Sequence, residues 1–228
     1  MPMPTAASSD TAANFDALVS ILPVSHQSRC ELTQRMRAPE RLYHRDEHPA
    51  LLWRRHRSLG QGSAFHAPHL ERLIASALAF HDAVLDTTRS DSEARSAALW
   101  REMAGAAGQL SPDEIEWVAV TIEATARHLA PWPAEHALDR ARLWVLDLDL
   151  TPLGECPAIF ARDTQRLRAE HMHLDDAAWN RKRLSFLAQL AAAPRLFRTD
   201  VIARAFEAPA QANLRRELAG WTSDAKSG

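Results

Sequence analysis

Glycine and cysteine are scarce in this chain of 228 residues, and long apolar runs are missing. Only 7 residues are glycine, whereas alanine and leucine are abundant, which favours helices over strands and tight turns. The two cysteines, Cys30 and Cys156, are far apart and lack zinc-ligand spacing, so we expect two reduced, partly buried thiols. No apolar run approaches the roughly 20 residues of a membrane-spanning helix. The composition therefore argues against a disulfide framework and against a membrane span.

Neither sign of charge predominates. The chain has 27 Lys and Arg residues against 29 Asp and Glu residues, a formal net charge of −2. This balance gives no reason to expect nucleic acid or an anionic membrane as a partner. Residues 1–14 are rich in Ala, Ser and Pro, without the basic region and apolar core of a signal peptide. We therefore expect a soluble, cytoplasmic protein.

Helical periodicity runs through most of the chain. Apolar residues from Phe15 to Leu22 have i, i+3, i+4, i+7 spacing, which predicts a helix that ends at Pro23. No segment alternates with period two for long enough to predict a strand. We predict one all-α domain of about nine or ten helices over residues 14–219, between flexible tails at 1–13 and 220–228. The other predicted helices are 25–36, one from His44 through Trp53, 68–85, one from Ser90, 112–128, 137–150, 157–170, 175–191 and 200–219.

Two of these helices begin with the pattern of a capping box, a serine followed three residues later by a glutamate. The patterns are Ser90-x-x-Glu93 and Ser111-x-x-Glu114. Asp175 is expected to cap the helix at 175–191.

Histidines and aspartates occur in an order that suits a metal site, because divalent ions bind imidazole nitrogen and carboxylate oxygen. His44 and His48 are four residues apart, so on a helix they project from one face. His81 and Asp82 end a strongly apolar predicted helix, where an unpartnered carboxylate is costly. Asp149 falls near the end of another predicted helix. Its carboxylate there meets the negative end of the helix dipole, which is unfavourable unless a nearby cation compensates. A His-Asp pair alone is expected by chance, so the evidence for a metal site is the whole ordered set of histidines and aspartates in these settings.

The motifs around these residues resemble those of the predicted metal-dependent phosphohydrolases of the HD superfamily. They are Arg41-x-Tyr43-His44-x3-His48, Phe80-His81-Asp82-Ala83-Val84-x-Asp86 and Leu146-Asp147-x-Asp149-Leu150. Further agreement occurs in Glu93-x2-Ser96, Ala124-Thr125-x2-His128, Pro194-Arg195-Leu196-Phe197 and Asn213-Leu214-x2-Glu217, so the resemblance spans roughly residues 15–219.

The resemblance implies an HD-type helical domain that holds one divalent ion, with manganese, magnesium, nickel, iron and zinc all compatible. The implied metal ligands are His48, His81, Asp82 and Asp149, with Asp147 as the alternative to Asp149. The Tyr-His-x3-His motif is also similar to that of helical cyclic-nucleotide phosphodiesterases, whose first histidine protonates the leaving oxygen. That similarity makes His44 the candidate general acid. Asp82 is a candidate to orient the attacking water as well.

Other polar residues near the motifs are candidates for catalysis, in the case of His128, or for substrate contacts, and most of them have a structural alternative. His128, with Thr125 one turn before it, either approaches the metal or phosphate or is a hydrogen-bonded core histidine. Asp86 is four residues after Asp82 and thus on its helical face, where it is a candidate to hold a metal-bound water or to orient a ligand. Arg41 either clamps a phosphate or forms a surface ion pair.

Glu93 is a substrate candidate whose capping box is a sufficient structural explanation. The histidine pairs His66/His69 and His171/His173 have the spacing of a second metal site, although pairs of this kind arise by chance among 11 histidines. The arginines of 162–168 and 181–183 are expected to form a solvated face.

The sequence thus predicts a metal-dependent phosphohydrolase that cleaves a phosphomonoester or nucleotide-type small molecule through a metal-activated water. Two alternatives stay open: an iron oxygenase on the same helical scaffold, and a non-catalytic module that binds a metal or ligand.

Overall fold

The computed structural model describes residues 6–224, and these residues form ten α-helices and no strand. The prediction of an all-α fold with nine or ten helices is confirmed. No helix in this range is long and apolar enough to cross a bilayer. The helices are α1 (Ala6–Ser20), α2 (His26–Met36), α3 (Glu47–Leu59), α4 (Pro68–Phe80), α5 (Ser92–Ala107), α6 (Pro112–Ala124), α7 (Ala137–Leu150), α8 (Pro157–Glu170), α9 (Asp176–Ala192) and α10 (Asp200–Asp224).

The helix ends correct several predictions. Residues 6–13 belong to α1 and residues 220–224 belong to α10, so the predicted tails are helical over these stretches. Residues 1–5 and 225–228 lie outside the described residues.

Both cysteines, Cys30 and Cys156, are exposed rather than partly buried. The predicted caps at Ser111 and Asp175 are present, with both bonds of the capping box formed at α6.

Helix α4 lies at the centre of the core. Each residue from Leu73 to Phe80 is buried, and the helix packs against α1, α3, α5, α6 and α7. A helix that is apolar on all sides is stable only where neighbouring helices surround it. The C-terminal end of α4 therefore places His81 and Asp82 inside the protein.

Helix α4 ends at Phe80, five residues before the predicted end, because a tertiary contact caps the chain there. The guanidinium of Arg41 donates to the carbonyls of Asp82 and Ala83 at 2.7 and 2.9 Å, and the hydroxyl of Ser96 accepts the Val84 N–H at 2.9 Å. These bonds satisfy backbone groups that a longer helix would pair internally. Residues 82–86 consequently leave the helix.

Helix α5 begins at Ser92, and the predicted Ser90–Glu93 capping box is absent. Asp91 precedes the helix and makes no side-chain cap bond. The Ser92 hydroxyl instead accepts the Asp86 N–H at 3.2 Å, one turn before the Ser96–Val84 bond. The two serines thus fasten the start of α5 to residues 84–86, and Glu93 is left without a capping role.

Candidate metal centre

Three separate stretches of the chain meet at one buried point: the start of α3, the end of α4 and the end of α7. The Nε2 atom of His48 lies 2.9 Å from Oδ1 of Asp149 and 3.8 Å from Oδ2 of Asp82. The Nε2 atom of His81 lies 2.9 Å from Oδ2 of Asp82 and 3.4 Å from Oδ1 of Asp149. All four side chains predicted as metal ligands therefore converge.

The proton on the imidazole of His81 is held on the side away from this cluster. His81 is 3% exposed, and its Nδ1–H donates to the carbonyl of Leu78 at 3.0 Å. Its Nε2 atom is buried and has no hydrogen-bond partner, because the short contacts with Asp82 and Asp149 lack hydrogen-bond geometry. In the neutral ring that atom carries a lone pair, as in a metal-ligating histidine oriented by a backbone carbonyl. The donor set therefore fits a metal ion.

The two carboxylates of the cluster form no ion pair with a described Lys or Arg, and the nearby guanidinium of Arg41 binds the backbone carbonyl of Asp82 instead. Burial raises the pKa of the Asp82 and Asp149 carboxyls, but the neighbouring His81 and other imidazoles lower each pKa below its usual value. Burial likewise lowers the pKa of His81, and the two carboxylates raise it well above the usual value. Among residues 12–221, no Lys or Arg forms an ion pair with either aspartate. Either a proton on imidazole or a metal ion must supply the compensating positive charge.

The second candidate for the last ligand, Asp147, lies outside this cluster. Its side chain is 1% exposed, and Oδ2 accepts the backbone N–H and the hydroxyl of Thr199 at 2.6 and 2.7 Å. Burial raises its pKa. These bonds attach α7 to the segment before α10, so the structure brings Asp149 to the cluster and gives Asp147 a structural contact.

His128 reaches the cluster from the short 3-10 turn Thr125–Arg127 that follows α6, not from a continuous helix. Its Nε2 atom lies 2.7 Å from Oδ2 of Asp149, the oxygen that faces away from His48 and His81. His128 thereby orients the Asp149 carboxylate. Thr125 lies beside His128 and lines a cavity that opens from the cluster, although its hydroxyl donates to the Ile122 carbonyl at 2.7 Å.

His44 lies in a turn before α3 begins at Glu47. The prediction that it shares a helical face with His48 is therefore wrong. Its Nδ1 atom contacts Oε2 of Glu170 at 2.6 Å. Oε1 of Glu170 accepts the backbone N–H groups of Leu42, Tyr43 and His44 at 2.8, 2.8 and 3.0 Å. One buried carboxylate thus orients both the ring and the backbone of His44. Sequence reasoning missed Glu170, which no motif marks.

The charges of this pair favour a protonated His44. Burial lowers the pKa of His44, but Asp82 and Glu170 raise it, and the net shift is upward. Burial raises the pKa of Glu170, whereas the bond with His44 and the backbone N–H groups lower it to about 2. An imidazolium whose Nδ1–H is bound by a carboxylate keeps its Nε2–H available as a proton donor.

Three other candidates differ in whether they line the cavity that opens from the cluster. Arg41 is 6% exposed and donates to the carbonyls of His44, Asp82 and Ala83, so it forms no surface ion pair and does not line the cavity. Asp86 follows the end of α4, accepts from the Thr88 hydroxyl at 2.6 Å, and does not line the cavity either. Glu93 does line it.

A cavity of about 380 Å³ opens from the cluster and is large enough for a small organic ligand. His44, His48, Asp82, His128 and Asp149 form its polar end. Its remaining wall is a mixture of apolar and polar side chains, and the charged ones are Glu93, Asp163, Lys182 and Arg183. The apolar residues are Leu150, Pro152, Leu153, Phe160, Leu167, Trp179 and Phe186.

Arg183 contradicts the prediction that residues 181–183 form a solvated face. It is buried, and its guanidinium donates to both carboxylate oxygens of Glu217 and to the hydroxyl of Thr164.

A second group of metal-ligand residues lies elsewhere, at His56, His66 and Glu71. It does not match the predicted pairs, because His69 contacts Glu114 at 3.0 Å. The Trp144 indole N–H, which can only donate, donates to Nδ1 of His56 at 3.0 Å. The proton of neutral His56 must therefore be on Nε2, the atom nearest Glu71. That nitrogen has no lone pair to offer, so the group does not fit a metal site.

Comparison with models of protein families, with curated proteins and with solved structures finds no match for the chain.

Proposed function

We propose that the protein is a metal-dependent phosphohydrolase, with His48, His81, Asp82 and Asp149 as metal ligands and a small phosphomonoester or nucleotide as substrate. The observation that carries the proposal is the buried Nε2 atom of His81. It faces two carboxylates that no described Lys or Arg neutralises, at the end of a cavity of ligand size. The resemblance to the HD superfamily supports the same reaction class.

The donor set suits several divalent ions. Two imidazole nitrogens with carboxylate oxygens are compatible with manganese, iron, nickel and zinc, whereas magnesium prefers an all-oxygen set. When bound, such an ion supplies Lewis acidity that polarises a phosphate oxygen and lowers the pKa of water.

The remaining residues of the centre have separate tasks in this proposal. Asp82 also orients the attacking water. His44, protonated at Nε2 and oriented by Glu170, donates its proton to the leaving oxygen as the phosphoester bond breaks. His128 fixes the orientation of Asp149.

The test combines metal analysis of the purified protein with a phosphoester hydrolysis panel, for the wild type, Asp149→Asn and the matched Asp147→Asn. We expect about one ion per chain and metal-dependent hydrolysis in the wild type, and loss of both in Asp149→Asn. Asp147→Asn should keep both the metal and the activity, because the Asp147 carboxylate accepts from Thr199 and contacts none of the four proposed ligands. If Asp149→Asn retains metal and activity, the proposal is wrong. Oxygen consumption by the iron-loaded protein, without phosphoester hydrolysis, would favour the oxygenase alternative.

A further inference from the structure

Lys182 lies at the rim of the cavity, as an exposed residue whose ammonium group is held by a neutral histidine. Its Nζ donates to Nε2 of His171 at 3.0 Å, and the Nδ1–H of His171 donates to the Leu167 carbonyl at 2.9 Å. Burial lowers the pKa of His171 and keeps the ring neutral. This chain of donors orients the ammonium of Lys182 without neutralising it.

Lys182 also differs from the other basic side chain of the cavity wall in having no ion pair. Arg183 forms a two-pronged ion pair with Glu217. Lys182 forms no ion pair within 4.0 Å with any carboxylate of residues 12–221, although Glu93 and Asp163 line the same cavity, and Asp163 pairs with Arg162. An unpaired ammonium in a ligand-sized cavity is a binding group for an anion.

Lys182 lies on a different element from the metal centre. It belongs to α9, whereas the proposed metal ligands lie at the start of α3, the end of α4 and the end of α7. Its Nζ contacts His171, which is not a proposed ligand. Apolar side chains, including Phe160, Leu167 and Trp179, line the cavity that the two positions share.

Resting on the proposed function, we propose that Lys182 binds a second anionic group of the substrate, a carboxylate or a second phosphate, while the scissile phosphate lies at the metal centre. The substrate class is then a phosphoester with an apolar middle section and an acidic far end. A substrate with a neutral far end lacks the contact with Lys182 and binds more weakly.

The experiment measures binding of non-hydrolysable phosphonates to the full-length protein loaded with manganese, by calorimetry. The probes are alkylphosphonates, carboxyalkylphosphonates and alkylene bisphosphonates of matched and increasing chain length. We expect the wild type to bind one of the two doubly acidic series about tenfold more tightly than the alkylphosphonates, the effect of one charge-assisted hydrogen bond at a partly exposed position. The preferred series identifies the second group as carboxylate or phosphate.

Matched variants assign the effect to Lys182. Lys182→Gln keeps a donor for His171 and should lose the preference, while its affinity for alkylphosphonate stays at the wild-type value. Lys182→Arg should keep the preference, and so should Arg181→Gln, which removes a neighbouring charge that does not line the cavity.

Three results would overturn the inference alone: equal affinity of the wild type for all three series, a preference that survives in Lys182→Gln, or an equal loss of alkylphosphonate affinity in that variant. If the wild type binds none of the phosphonates, the proposed function is contradicted, and this inference with it.

Discussion

Two histidine–carboxylate groups each combine a histidine of α3 with residues in or next to α4, and they differ in which ring nitrogen holds the proton. His48 and His56 are both on α3, about 12 Å apart along its axis. The first faces His81 at the end of α4, and the second lies near Glu71 in the first turn of α4. In His81 the Nδ1–H donates to a backbone carbonyl, whereas Nδ1 of His56 accepts from Trp144. In the neutral ring, the first arrangement directs a lone pair at carboxylates, and the second directs an N–H.

The two groups also differ in charge compensation. Glu71 accepts from Arg57 at 2.6 Å and from Nδ1 of His66 at 2.9 Å, so protein groups already balance its charge. The aspartates near His48 and His81 have no Arg or Lys partner among residues 12–221. The same residue types therefore form the proposed metal-ligand set in one place and an internal hydrogen-bond network in the other. The partner of the second ring nitrogen decides between them.

The sharpest test of this difference replaces one histidine of each group. His81→Gln should lower the affinity for the divalent ion more than about hundredfold, because a ligand is lost and loss of an outer contact alone costs about 10- to 100-fold. His56→Gln should leave that affinity unchanged. Competition with a coloured chelator measures both. Equal losses in the two variants would mean that proton placement does not distinguish the groups.

A third histidine extends the comparison from metal binding to catalysis. Glu170 accepts from Nδ1 of His44, as the Leu78 carbonyl does from His81, but its charge favours the doubly protonated ring. Glu170→Gln should lower kcat by about a hundredfold, the lower end of general acid catalysis. The pKa of His44 should fall, and because the acid must be protonated, the alkaline limb of the kcat profile should move to lower pH.

The metal content of the Glu170→Gln variant serves as the control. It should equal that of the wild type, because Glu170 contacts no proposed metal ligand. A lower kcat with an unmoved alkaline limb would contradict the role of His44 as the acid and leave Glu170 a structural residue.

Much of the fold could be predicted from the sequence because it depends on local patterns, and the candidate ligand set was implied by the resemblance of short motifs to those of the HD superfamily. Periodicity and capping signals are local, and they predict most helices and the cap at Ser111. Helix α4 ends early for a reason outside its own sequence. Arg41, which is 41 residues before Asp82, donates to the carbonyl oxygens that follow the end of α4. A pattern read along the helix cannot contain this contact.

The roles within the centre depend on distant partners in the same way. Asp147 and Asp149 both precede a leucine, and the bond between Asp147 and Thr199, 52 residues later, separates their roles. Glu170 is 126 residues from His44 and belongs to no motif. The sequence identifies which side chains can act, and tertiary contacts determine which way each ring or carboxylate faces.

A last prediction concerns how the stability of the protein depends on pH at the group formed by His56, His66 and Glu71. Burial, with His66 nearby, lowers the pKa of His56 to about 4, against an ordinary value of about 6.5. Between these values the unfolded chain binds a proton that the folded protein does not, so His56 costs stability as the pH falls. The free energy of unfolding of the wild type, relative to His56→Gln, should drop by about 1.4 kcal/mol per pH unit from pH 6.5 towards pH 4. Urea titrations of both proteins measure this difference, and a flat difference would mean that His56 accepts a proton in the folded state and that Trp144 does not hold it neutral.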